Sequence, residues 1–155
     1  MAAYSVERDD VRQRILAIDP GKTTGWASYD TVEQTFDSGQ TDFIETCNLL
    51  KTCALQWAKD IHIVSESFLI TLQTVKNTQA PWSLELIGVA RYFSQAYCDE
   101  DLTLQMPSAA KRFSSDQRLK DMGWYVPGKG HANDAARHLL LFIATHGWWD
   151  DRITV

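Results

Sequence analysis

Arg14-Ile15-Leu16-Ala17-Ile18-Asp19, followed at once by Pro20-Gly21, is the stretch on which the fold turns. A near-continuous apolar run that closes on an acid is the pattern of a strand buried on both faces. Pro20-Gly21 breaks the run. Residues 25–29 (GWASY) can then return beside it as a second strand, and a third near residues 35–39 completes a meander.

Outward from this meander the chain alternates. Residues 41–59 read as a helix, because Phe43, Ile44, Cys47, Leu50, Ala54 and Trp57 recur at three- and four-residue steps. Ile61–Glu66 (IHIVSE) is another buried strand, again ending in a carboxylate. Residues 67–80, rich in Thr, Gln and Asn, read as a long loop or a loop plus turn. Pro81 opens a helix to about residue 97, with Leu84, Ile87, Val89 and Phe93 available for the core. Residues 102–106 make a fifth strand, Pro107 and Ser108 start a short basic helix, and residues 123–130 form a turn-rich loop. The last helix covers residues 131–146, with Gly147 as its stop signal. Its run from Leu139 to Ala144 is apolar on every side, which implies burial. The order predicts an α/β fold: a five-stranded mixed sheet with helices on both faces. Strands one, four and five should be parallel, because helices separate them.

Composition bounds the rest. A chain of 155 residues, 45% hydrophobic and 23% charged, fits one globular domain spanning residues 1–155, with no repeat or low-complexity tract. Its longest apolar run is six residues, against roughly 20 for a membrane span. The charged opening residues do not suit a secretory signal, so the expectation is a soluble, cytoplasmic protein with no membrane partner. Cys47, Cys53 and Cys98 form no CxxC pair and leave one thiol over under any bridging scheme, which fits reduced thiols rather than a zinc site. The net charge of −5 stands against a nucleic-acid partner, yet it is uneven. Residues 105–138 hold six basic side chains (Lys111, Arg112, Arg118, Lys120, Lys129, Arg137) against three acidic ones (Asp116, Asp121, Asp134). An acidic body with one basic segment can grip phosphates locally, and bound divalent cations offset carboxylate charge.

Four residues carry the candidate chemistry. Asp19 and Glu66 each end a buried parallel strand, at the sheet edge where open α/β folds build their sites. Asp134 reads as lying in the first turn of the last helix, where the helix dipole favours its charge. His131 precedes it by three residues and shares its helix face. Carboxylate oxygens with one imidazole suit magnesium or manganese. Each residue also has a plainer reading: Asp19-Pro20-Gly21 as a turn, Glu66 as a salt-bridged strand end, Asp134 as a helix-start residue, His131 as a capping or surface histidine. Taken together the three carboxylates close their elements in the order one fold would need.

The motifs around these residues resemble those of the RuvC-like Holliday junction resolvases, a branch of the ribonuclease H-like superfamily. ILAIDPGKTTGWA (residues 15–27) resembles their opening motif, VSESF (64–68) the second, MPSAAK (106–111) a DNA-contacting segment, and HANDAARHLLLF (131–142) the closing motif. The similarity covers most of residues 14–146 and looks closest to small phage-encoded members, which would place the protein in a host cytoplasm.

The resemblance implies a ribonuclease H-like fold and a metal-dependent nuclease that cuts four-way DNA junctions. Asp19, Glu66 and Asp134 would be its catalytic acids, with His131 on a site held by Asp or His. Asp19 would bridge two Mg²⁺ ions about 4 Å apart, Glu66 holding one and Asp134 with His131 the other; Mn²⁺ would substitute. A water activated by one ion would attack phosphorus, leaving 5′-phosphate and 3′-hydroxyl ends with no covalent enzyme intermediate. Lys111, Arg112, Lys120 and Lys129 would contact phosphates. Phe68 would stack on an unpaired base, or else be an ordinary core residue. Two symmetric cuts call for a homodimer, and Trp148-Trp149 is a candidate interface. His138, one turn beyond Asp134, either supports the metal ligands from behind or is simply packed.

The chain departs from the family between Lys111 and His131, where the usual GxGxAxK stretch is missing; Lys120 and Lys129 stand as its substitutes. Three other readings stay open. They are a broader nuclease of forks, flaps and other branched DNA, a catalytically silent DNA-binding module, and an actin-like ATPase. The chain is too short for the duplicated domains of the last.

Overall fold

The alternation of apolar residues in β1 (Arg14–Asp19) is divided between two cores, and that division organises everything around it. The computed structural model describes residues 12–76 and 80–146. β1 pairs antiparallel with β2 (Thr24–Asp30) on one side and parallel with β4 (Ile61–Glu66) on the other. β3 (Thr35–Thr41) lies antiparallel outside β2, and β5 (Thr103–Gln105) parallel outside β4, giving the order β3-β2-β1-β4-β5. The mixed sheet and its three parallel strands are those expected from the order of elements.

Ile15 and Ala17 of β1, with Ala27 and Val64, pack under α5 (Gly130–Thr145). Leu16 and Ile18, with Ile61 and Ile63, pack against α1 (Phe43–Trp57) and α2 (Ala80–Tyr97) on the opposite face. Two short helices, α3 (Pro107–Phe113) and α4 (Asp116–Asp121), belong to the α5 side, where Leu119 enters the core. Leu139, Leu140, Phe142 and Ile143 of α5 are almost wholly buried, each contributing roughly 1.5–3 kcal/mol. Their burial explains why that stretch reads as apolar on every side. Among the described residues no helix is long and apolar enough to cross a membrane.

Several boundaries and faces differ from expectation, each for a local reason. α1 starts at Phe43, because Asp42 caps it: Asp42 Oδ1 accepts from Glu45 N at 2.8 Å while Glu45 Oε2 accepts from Asp42 N at 2.9 Å. Ile44 and Leu84 are exposed; Thr46, and Ser83, Leu86 and Ala90, take the inward positions instead. α4 adds a helix to the expected elements, and Ser115 caps it by accepting from Arg118 N at 3.2 Å. α5 begins one residue early, at Gly130, so Asp134 sits beyond the first turn and gains little from the helix dipole. Within residues 67–80, read as a loop or a loop plus turn, the described part holds one short 3₁₀ turn, Thr74–Lys76, as the second reading has it. Gly147 and the Trp148-Trp149 pair lie outside the described residues.

Candidate active site

Strand register sets the first two carboxylates side by side. Ile18 pairs with Ser65, so the residues that follow, Asp19 and Glu66, end adjacent parallel strands together. Period-two alternation puts Asp19 on the face of Ile15 and Ala17, and Glu66 on that of Val64. Both therefore stand under α5. Gln105, paired with Glu66 across β4 and β5, extends the row to a third strand. The turn after β1 is pinned from two sides. Thr24 Oγ1 donates to Gly21 O at 3.2 Å, and Ser83 Oγ of α2 donates to Pro20 O at 2.7 Å.

α5 crosses this row at close range because of one glycine. Gly25 faces Asp19 across β1 and β2, and a Cβ built on it would lie 1.8 Å from the His131 carbonyl oxygen. Only a residue without a side chain lets the helix start rest on the strand. The helix entry is held further by Gln40, whose Oε1 accepts from His131 N at 3.1 Å. Asn133 clamps Val126 through both its N–H and its carbonyl, each at 2.9 Å.

From this position α5 supplies one partner to each carboxylate. His131 Nδ1 lies 3.0 Å from Asp19 Oδ2, and His138 Nε2 lies 2.8 Å from Glu66 Oε2. Arg137 Nη1 donates to Asp134 Oδ1 at 2.7 Å. The same guanidinium donates from Nε to Ser114 O at 3.0 Å and pairs through Nη2 with Asp116.

Asp19 is only 9% exposed. Burial, together with the negative charges of Glu66 and Asp134, pushes its carboxyl from the ordinary 3.8 up to about 6, against the lowering effect of the His131 hydrogen bond. Two other carboxylates thus act on Asp19 in a poorly solvated place, with an imidazole beside it. That is the donor chemistry a hard divalent cation takes. Among the described residues, no group of three His, Cys, Asp or Glu side chains is gathered to hold an ion. A cation bound through Asp134 must compete with Arg137.

Two clefts share the expected residues. Asp19, Glu66, His131 and Phe68 line one of about 170 Å³ with Pro20, Ser67 and Ser83. Asp134 and Lys111 line another, of about 400 Å³, with Ser114, Ser115, Asp116 and Arg137. Phe68 also borders an apolar hollow formed by Ile70, Pro81 and Leu84. Arg112 is exposed in the last turn of α3, Lys120 lies over the Tyr125 ring at 4.7 Å, and Lys129 immediately precedes α5. Sequence reasoning gave Arg137 no role beyond its charge and Gln105 none at all. The signal for Arg137 was its place three residues after Asp134 on a helix. For Gln105 it was a strand end matching Asp19 and Glu66.

A five-stranded mixed sheet with this order and helices on both faces is the ribonuclease H-like fold. Among eight chains of solved structures that match is T. thermophilus RuvC in complex with a Holliday junction substrate, with a TM-score of 0.59 and 16% identity over 87% of this chain and 97% of that one. No family model and no curated protein matches the chain.

Proposed function

We propose that this chain is a metal-dependent endonuclease that resolves four-way DNA junctions by paired nicks, leaving 5′-phosphate and 3′-hydroxyl ends. The observation that carries the reading is the raised Asp19 carboxyl, set beside Glu66 and within electrostatic reach of Asp134 on a ribonuclease H-like sheet edge. A fold that buries a carboxylate against two others keeps a strong demand for positive charge there. Asp19, Glu66, Asp134 and His131 would hold two Mg²⁺ ions, with Mn²⁺ substituting. When bound, such ions supply Lewis acidity at a phosphodiester and lower the pKa of water.

The protein's own parts supply placement. Ser83 and Thr24 fix the turn that aims Asp19, and Gly25 admits α5. Lys111, beside Asp134, would take a backbone phosphate near the cut. Arg112, Lys120 and Lys129 would hold the arms, with an affinity that falls as salt rises. Phe68, half-buried at the cleft edge, would stack on an unpaired base. The chain would work as one domain in a two-fold homodimer, since paired cuts require two sites related by symmetry. The junction substrate of the T. thermophilus RuvC structure supports this choice of DNA. A broader branched-DNA nuclease is the second reading, favoured by the missing GxGxAxK stretch before His131.

The test is incubation with labelled four-way junctions, forks, flaps and plain duplex, with and without Mg²⁺. Symmetric paired nicks confined to the junction select the first reading, and cutting spread across the branches selects the second. No metal-dependent cutting of any substrate rejects both.

A further inference from the structure

We propose that His138 and Gln105 are positioning residues that fix one oxygen of Glu66 so that the other is left for a cation. The inference rests on the reading of Glu66 as a metal ligand.

His138 is 1% exposed, on a helix whose neighbouring inward positions, Ala135, Leu139 and Phe142, are apolar. An imidazole in such a place is costly unless both ring nitrogens find partners, and here both partners are side chains. Nδ1 lies 2.9 Å from Gln105 Oε1, and Nε2 lies 2.8 Å from Glu66 Oε2. A carboxylate oxygen accepts, so Nε2 carries the proton in that bond. The Gln105 amide can meet Nδ1 with either of its ends.

Register explains how the three groups meet. Glu66 and Gln105 are cross-strand partners on β4 and β5, so their side chains rise from the same sheet face side by side. Ser67 N donates to Gln105 O at 2.8 Å and holds the ends of the two strands together. His138 spans the pair from above, one helical turn after Asp134. Oε2 of Glu66 is thereby committed, while Oε1 makes no hydrogen bond among the described residues. A core built only for packing needs no such bridge: an apolar residue at 138 would fill the space at lower cost.

The experiment is calorimetric titration of Mn²⁺ into the full chain without DNA, comparing wild type with Glu66→Gln, His138→Leu, His138→Gln and Gln105→Leu. Circular dichroism and an unfolding temperature establish that each variant is folded. The expected result is that Glu66→Gln weakens binding, and that His138→Leu weakens it about 10- to 100-fold, the usual effect of removing a group behind a metal ligand. Gln105→Leu should weaken it less. His138→Gln, which keeps an N–H donor near Glu66, should recover part of the loss. A merely structural role would lower unfolding temperatures and leave Mn²⁺ affinity unchanged. Should His138→Leu fail to fold, Gln105→Leu and His138→Gln decide: wild-type affinity in Gln105→Leu overturns the proposal. Wild-type affinity in both leucine variants, with a loss in Glu66→Gln, overturns the positioning role alone. Equal binding by wild type and Glu66→Gln overturns the metal role of Glu66, and the positioning role with it.

Discussion

Two buried aspartates sit at opposite ends of the same pair of strands, and their surroundings could hardly differ more. In the β1–β2 register Asp19 faces Gly25 at one end and Asp30 faces Arg14 at the other. Asp30 is 3% exposed and accepts four bonds: from Val32 N at 3.0 Å, Glu33 N at 2.9 Å, Gln13 Nε2 at 3.2 Å and Arg14 Nη2 at 3.1 Å. Burial pushes its carboxyl up, but these donors more than offset that and hold it below the ordinary 3.8. Asp19 has one ring nitrogen and two like charges, and is held at about 6. Burial is the largest cause of the Asp19 shift, whereas at Asp30 the donors outweigh it. A carboxylate that serves only the fold is saturated with donors; Asp19 is left wanting positive charge, which folding alone gives no reason to tolerate.

The largest expected effect separates the two by activity. Asp19→Asn should lower Mg²⁺-dependent cutting to below about a hundredth of wild type while junction binding persists; Asp134→Asn should do the same. Asp30→Asn should retain cutting per folded molecule. Initial rates at saturating Mg²⁺ measure this, and full activity in Asp19→Asn would erase the distinction.

Next comes a reversal of sign in metal-free stability. The folded Asp19 carboxyl lies above its ordinary value, so its contribution is complete below pH 3.8 and is lost as pH rises through about 6. By pH 8 the loss is roughly 3 kcal/mol. Asp19→Asn should therefore unfold at a higher temperature than wild type at pH 8 with chelator present. Asp30 is shifted the other way, so its contribution is present above pH 3.8 and fades as pH falls below that. Asp30→Asn should unfold earlier at pH 8, by about 1–3 kcal/mol. Thermal unfolding from pH 4 to 8 reads both. Two variants moving in the same direction would break the comparison.

Gly25→Ala sharpens it from the backbone side. The new methyl would collide with the His131 carbonyl, costing about 1–3 kcal/mol of stability. It should also depress cutting, although every carboxylate remains. Unfolding temperature and cutting rate, measured together, should both fall. The smallest effect falls on Arg137→Gln, which frees Asp134 from its ion pair. Mn²⁺ affinity should rise about two- to fivefold, the equivalent of an ion pair of up to about 1 kcal/mol. Calorimetry would show it, and weaker binding would mean that Arg137 supports the site rather than competing for it.

Much of the fold was legible because its signals are local. RILAID and IHIVSE read as doubly buried strands, and each places its terminal acid by alternation alone. Residues 139–144 announced a buried helix face. Faces of α1 and α2 were harder, because Thr46, Ser83 and Ser94 are buried polar residues whose hydroxyls are satisfied by Asp42 O, Pro20 O and Glu100 O. Hydrophobic spacing does not reveal such polar partners, near or far in sequence. The site divides in the same way. Asp19, Glu66, His131 and Asp134 were found as residue types near element ends, but the Asp19–His131 and Glu66–His138 bonds depend on how α5 lies across the sheet. That placement rests on Gly25 and Gln40, which no periodicity singles out.

Anomalous diffraction from crystals grown with Mn²⁺ would test most directly whether this carboxylate cluster collects divalent cations. The expected result is Mn²⁺ bonded to the Asp19 carboxylate, with Glu66 and Asp134 turned to the same ions and Arg137 withdrawn from Asp134. An Asp19 without a cation at saturating Mn²⁺, with Arg137 still paired to Asp134 as it is here, would contradict it.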